Sequence, residues 1–238
     1  MPLMILAAIA AYFVKGMCGF ANTLVFTSIL SFGMNNVDIT PTELLVAQPA
    51  NYLMAWRERR HINWRIALPC AVMVVLGGIP GTFLLKNAGT QTVKLVLGGL
   101  IILTGLHMLY REKHPAKKPL SPLSAAALNL FCGVFCGLYG IGALMAANIA
   151  RSCADTHEAR GTMSVVFITE ALFRTALYIA TGILTLPVLR RALLILPFAL
   201  GGMGLGMRCV SRINERTAKL VVIGALILSG AALMLANL

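Results

Sequence analysis

Between Phe13 and Phe32 the chain reads FVKGMCGFANTLVFTSILSF. The passage is apolar at both ends, but Lys15 stands inside it, Gly16 and Gly19 follow, and Asn22 and Thr23 come next. A charge and closely spaced glycines in a run otherwise fit for lipid mark a place where a helix is interrupted and meets something other than lipid. A related passage, FCGVFCGLYGIGALMAAN, runs from Phe131 to Asn148 and carries Gly137, Gly140 and Gly142. The two passages are expected to form the working centre, with the remaining helices holding them in place.

The surrounding sequence is that of a membrane protein. Of 238 residues 58% are hydrophobic and 12% charged, with a mean hydropathy of +0.84. A soluble domain carries about 25% charged residues, so this chain has about half the charge needed to cover a soluble surface. Apolar runs of about 20 residues, the length that spans a bilayer core of about 30 Å, recur from end to end. The expected fold is therefore all-α: one polytopic transmembrane domain over 1–238. The first run is not expected to be a signal peptide, because Lys15 falls after its first apolar residues instead of before them. The formal net charge of +12 falls mostly in short loops between the runs. That placement suits topology and anionic headgroups, not nucleic acid.

The apolar runs lie at about 2–33, 43–56, 66–85, 93–110, 122–150, 161–183, 188–207 and 217–237. Polar links separate them, of which Arg111–Ser121 is the most polar and the richest in proline, and it divides the chain near its middle. The halves repeat. A shift of 125 takes Gly77, Gly81, Thr92, Lys94, Gly99 and Gly105 onto Gly202, Gly206, Thr217, Lys219, Gly224 and Gly230. A shift of 121 takes Gly16 and Gly19 onto Gly137 and Gly140. An internal duplication (repeat 1 over 1–110, linker 111–121, repeat 2 over 122–238) is the expected organisation, as in many secondary transporters.

Charge decides how the halves are oriented. If each long opening run crosses once, the two faces of the membrane carry ten and eight Lys/Arg, which is no bias. If each is a hairpin that returns to its starting side, the count becomes fourteen against four, the asymmetry of a cytoplasmic face. Two inverted repeats follow, each a Gly-bearing hairpin plus three crossings, with both termini outside.

Four passages together then point to a family. HINWRIALPCAVMVVLGGIPGTFLL (His61–Leu85), the two glycine passages and ARGTMS (Ala159–Ser164) together resemble the TauE/SafE sulfite exporter family over nearly the whole chain. Arg57, Arg59, Arg60, Ile62, Asn63, Trp64 and Arg65 fit its basic loop, and Gly161, Thr162 and Ser164 fit its later helix start. The glycine motifs depart from the family's Gly-rich pattern. Ala21-Asn22-Thr23 follow Gly19-Phe20, and Thr27 and Asn148 stand where prolines are expected. The resemblance implies a multi-pass carrier in the bacterial cytoplasmic (inner) membrane for sulfite, a sulfonate or a related organosulfur anion. The departures bear on the substrate more than on the fold.

Several residues are candidates for that chemistry. Glycines let helices approach closely, and they also leave amides free at the start of a half-helix, where the dipole favours an anion. Either use fits Gly16, Gly19, Gly137, Gly140 and Gly142. Lys15 either neutralises an anion in a cavity or snorkels to the interface. Arg174 follows Glu170 by four residues, so the two share a helical face. They form either a structural pair or an anion site with Glu170 coupling protons. Gln48, Pro49 and Asn51 interrupt the second run and offer polar groups to a cavity or a neighbour. Thr162 and Ser164 suit a cap after Gly161, or a substrate contact.

Lys15, Gly16, Gly19, Asn22, Thr23, Gly137, Gly140, Gly142 and Arg174 form the expected substrate-binding set, and Glu170 is the proton-coupling candidate. No cofactor or metal ligand set is expected. Cys18, Cys132 and Cys136 with the twelve methionines leave a soft-metal (copper) carrier as an alternative. A membrane scaffold without transport is a second alternative. His61, His107, His114 and His157 are scattered, and no Gly-Lys-Ser/Thr phosphate loop occurs, so neither catalysis nor primary pumping is expected. The expected partners are a small anion, lipid and a second copy in a C2 homodimer.

Overall fold

The computed structural model describes residues 2–87, 90–113, 121–140 and 142–209, with isolated positions between 220 and 235. The middle of the proline-rich link and most of the last apolar run, including Thr217 and Lys219, lie outside the described residues. Everything described is helix, turn or short connection, with no strand.

Each long opening run is broken once, at its glycines. Helix α1 (Pro2–Cys18) stops before Gly19 and Ala21, whose φ values of 85° and 72° are left-handed, and α2 (Asn22–Leu30) begins immediately after. A left-handed residue cannot propagate a right-handed helix. Helices α3 (Asn36–Arg57), α4 (Trp64–Asn87) and α5 (Thr90–Lys113) complete the first half, with one 3₁₀ turn, Arg59–His61, between α3 and α4. In the second half α6 (Pro122–Tyr139) is capped at its start by Ser121 and ends at Gly140, φ 74°; α7 (Ala143–Ser152) follows. Helices α8 (Thr156–Ala180) and α9 (Leu186–Cys209) come after it.

At 1.5 Å per residue, α2 and α7 are about 14 and 15 Å long, half of a bilayer core of about 30 Å, so neither crosses alone. Met4 near the start of α1 and Leu30 at the end of α2 fall in one buried cluster, with Ile39 and Ala192. The chain has therefore doubled back. Spans Trp64–Leu85, Pro122–Tyr139, Thr156–Ala180 and Leu186–Cys209 are long and apolar enough to cross a membrane.

Two boundaries differ from expectation. The Asn35–Thr42 stretch, which reads as a polar link, is already the first two turns of α3. Tertiary contacts override its composition: Ile39, Thr40 and Thr42 are buried, Thr42 Oγ1 donates to the Asp38 carbonyl at 2.7 Å, and Asp38 pairs with Arg191 of α9 at 2.8 Å. Helix α8 likewise begins at Thr156, so Gly161 lies inside it and not before it. Its cap is Asp155, which accepts from the Glu158 amide at 2.8 Å. Thr162 instead accepts from the Asn63 amide at 3.0 Å, and Ser164 donates to the Arg160 carbonyl at 2.8 Å.

The packing pairs exchange between halves. Helix α4 lies on α6 and α9 lies on α1; α3 meets α8, α4 meets α8, and α9 meets α3. Glycines make the two tightest seams. A Cβ on Gly77 or Gly81 would run into the Leu130 or Val134 carbonyl of α6, and one on Gly202 or Gly206 into the Ile9 or Phe13 carbonyl of α1. These are the residues related by the 125-residue shift, and they do the same job in both halves. Helix α5 meets the last apolar run at a described position: a Cβ on Gly98 would stand 3.0 Å from the Gly230 carbonyl oxygen.

Candidate functional site

The two helix breaks meet. A Cβ on Gly140 would stand 3.0 Å from Thr23 Cγ2, 3.2 Å from Arg174 Nη1 and 3.6 Å from Glu43 Oε2. Around this point lies a cavity lined by Lys15 of α1, Asn22 and Thr23 of α2, Glu43 and Asn51 of α3, Gly140 and Gly142, and Phe167, Glu170 and Arg174 of α8. About 30 Å³ is open to the centres of water-sized molecules. That is room for water.

Four charges converge here, none more than 5% exposed: Lys15, Glu43, Glu170 and Arg174. Burying an ion costs several kcal/mol unless partners replace its water, and each of the four has partners. Lys15 Nζ donates to Asn51 Oδ1 at 2.6 Å and to Asn22 Oδ1 at 3.2 Å. Asn22 turns its other end outward, and its Nδ2 donates to Glu43 Oε1 at 2.5 Å. The amide thus bridges a cation and an anion that do not touch. Arg174 Nη1 donates to the Cys136 carbonyl, one of the carbonyls at the end of α6, at 2.5 Å. Its Nε stands 2.9 Å from Glu170 Oε1. The N–H there is off line, so the contact is an ion pair and not a directed hydrogen bond. Tyr178 donates to the Gly137 carbonyl at 3.1 Å, and the Phe167 ring lies 5.8 Å from Lys15 Nζ.

The starts of α2 and α7 also face this region. Neither Ala21 nor Gly142 provides a side-chain cap. The positive dipole end of a helix suits an anion.

Of the expected substrate-binding set, Lys15, Asn22, Thr23, Gly140, Gly142 and Arg174 line the cavity, as does Glu170. Gly16, Gly19 and Gly137 do not. A Cβ on Gly16 would strike the α9 backbone at Met203, and one on Gly137 would strike α4 at Gly78. A Cβ on Gly19 would stand 3.0 Å from Arg160 Cγ, and Arg160 Nη2 donates to the Met17 carbonyl at 2.9 Å. Glu43 was missed as a site residue. Its position marks the polar edge of an apolar run, and only the early start of α3 carries it two turns into the helix. Asn51 was legible as a polar interruption but not as a lysine partner. Cys132 and Cys136 pack with Ala67, Cys70 and Met145 in an apolar cluster. No group of three or more His, Cys, Asp or Glu fit to hold a metal assembles among the described residues.

A protein-family model described as sulfite exporter TauE/SafE matches residues 4–233. No curated protein and no solved structure matches the chain.

Proposed function

The chain belongs to the sulfite exporter TauE/SafE family, a family of membrane transporters, and from that premise we propose that it is a secondary transporter of a small sulfur-containing anion. The substrate is sulfite, a sulfonate or a related organosulfur anion, carried across the bacterial cytoplasmic membrane by alternating access. One observation carries this reading. Two buried cations and two uncapped helix starts converge on one cavity at the junction of two broken hairpins. Lys15 and Arg174 meet the anion's charge, the amides and side chains of Asn22 and Thr23 and the Gly140–Gly142 backbone meet its oxygens, and Phe167 closes the apolar side.

The two halves work as inverted repeats in this reading. Asp38 near the start of α3 pairs with Arg191 near the start of α9, and Glu58 at the end of α3 lies 2.9 Å from His157 at the start of α8. Helices α3 and α8, counterparts in the two halves, therefore run in opposite senses. This supports a two-fold axis in the membrane plane, about which one half can rock against the other.

Purified protein in a thermal-shift series is expected to be stabilised by sulfite and by sulfonates, because ligands that bind only the folded form raise its apparent stability. In proteoliposomes sulfite flux is expected. Stabilisation by copper(I) alone would move the assignment to a metal carrier. Neither stabilisation nor flux would leave a scaffold.

A further inference from the structure

We propose that the anion binds together with one proton, and that Glu43, not Glu170, takes that proton. The inference rests on the transport reading above and adds to it the coupling ion and its seat.

The argument begins with charge balance. With Lys15 and Arg174 against Glu43 and Glu170, the cavity is formally neutral before any substrate enters. A monoanion alone would leave one uncompensated negative charge in a dry, membrane-buried site, where such a charge is costly. A cation must accompany it. The two buried carboxylates are the groups that can accept one as a proton.

Their surroundings differ. Glu170 stands 2.9 Å from Arg174 Nε, and protonating it would strip a buried guanidinium of its counter-ion. Glu43 has no Lys, Arg or His nitrogen within 4 Å among the described residues; its closest donor is the neutral Asn22 amide, on Oε1. The charged and titratable groups around it are Tyr12 and Lys15 from α1, Cys136 from α6, and Glu170, Arg174 and Tyr178 from α8. Asn22 and Thr23 of α2 are its neutral polar neighbours. A proton on Oε2 leaves the Asn22 bond to Oε1 intact. It also changes the oxygen beside Gly140 from an acceptor that repels an anion into a donor that can bind one.

A metal cation fits less well. Asn22 Oδ1 and Asn51 Oδ1, the amide oxygens a hard cation would use, both point at Lys15 Nζ.

The test uses methanesulfonate as the probe, because it keeps a single charge at every working pH and cannot itself supply or take the proton. Its affinity for the purified wild-type protein is measured across the neutral range, with calorimetry in two buffers of different ionisation heat to count protons. The expected result is about one proton taken up per anion, with binding tightening as pH falls by up to about tenfold per pH unit, the slope for one linked proton. Glu43→Gln is expected to bind at every pH as tightly as wild type does at its acid plateau, without proton uptake. Glu170→Gln is expected to retain the uptake. A wild-type affinity that ignores pH, or that follows sodium instead, overturns the inference and leaves the transport reading standing. So does proton uptake that survives in Glu43→Gln and vanishes in Glu170→Gln. Failure of both methanesulfonate and sulfite to bind at any pH overturns the transport reading and the inference together. Where one variant fails to fold, the wild-type slope still decides whether a proton is taken up, and uptake kept or lost in the other variant decides its seat.

Discussion

At Asn22 a neutral amide separates two buried charges of opposite sign, accepting from Lys15 at 3.2 Å and donating to Glu43 at 2.5 Å. A direct salt bridge would have spent both charges on each other. The bridge keeps each partly unspent, and of the three hydrogens on the ammonium two go to asparagine oxygens. Asn22→Ala is expected to weaken sulfite binding about 100-fold, within the range for unpairing a buried charge, as read by titration calorimetry; an unchanged Kd would exclude the bridge from the site. Lys15, Asn22 and Arg174 were legible because polar groups are conspicuous in apolar sequence. Their pairing was not, since nothing in the spacing of residues 22 and 51 says that two different helices bring them to one lysine.

The elements depend on close backbone contact more than on side-chain filling. Gly81 and Gly201 are both helical, yet a Cβ on Gly81 meets the α6 backbone while one on Gly201 meets nothing within 4 Å. Gly81→Ala is therefore expected to lower the melting temperature and Gly201→Ala to leave it unchanged or raise it, because alanine is the better helix former. Equal effects would refute the seam. At the start of α8 the Glu158 amide holds the exposed Asp155 carboxyl below its usual range. A depressed folded value stabilises above the unfolded pKa of about 3.9 and is lost as pH falls through the folded value. Asp155→Asn keeps a capping residue without the titration. The wild-type advantage in melting temperature at neutral pH is thus expected to close below about pH 4. The helix breaks at Gly19 and Gly140 could be read in advance, because glycine is where left-handed backbone is easiest. The start of α3 could not, because burial and the Asp38–Arg191 pair outweigh a polar, proline-containing composition.

For the whole molecule, the orientation we propose, with both termini outside, rests on the charge count. With the six native cysteines replaced by serine, an impermeant thiol reagent applied outside cells is expected to label Thr185→Cys and to spare Arg59→Cys, both exposed positions. The reverse pattern would invert the assignment. Sulfite flux that persists in this background separates an anion carrier from a thiol-dependent metal carrier. The matched glycines were visible in the sequence, but which surfaces they join was not, since spacing says nothing about partner choice. The partners are crossed: α4 of the first half clasps α6 of the second, and α9 of the second clasps α1 of the first. A half-length chain would present both open glycine faces at once, one on its first helix and one on its fourth, and two copies related by a two-fold axis would close them. If the halves arose by duplication, as we propose, a single-repeat product had to pair, and fusion preserved contacts that already existed.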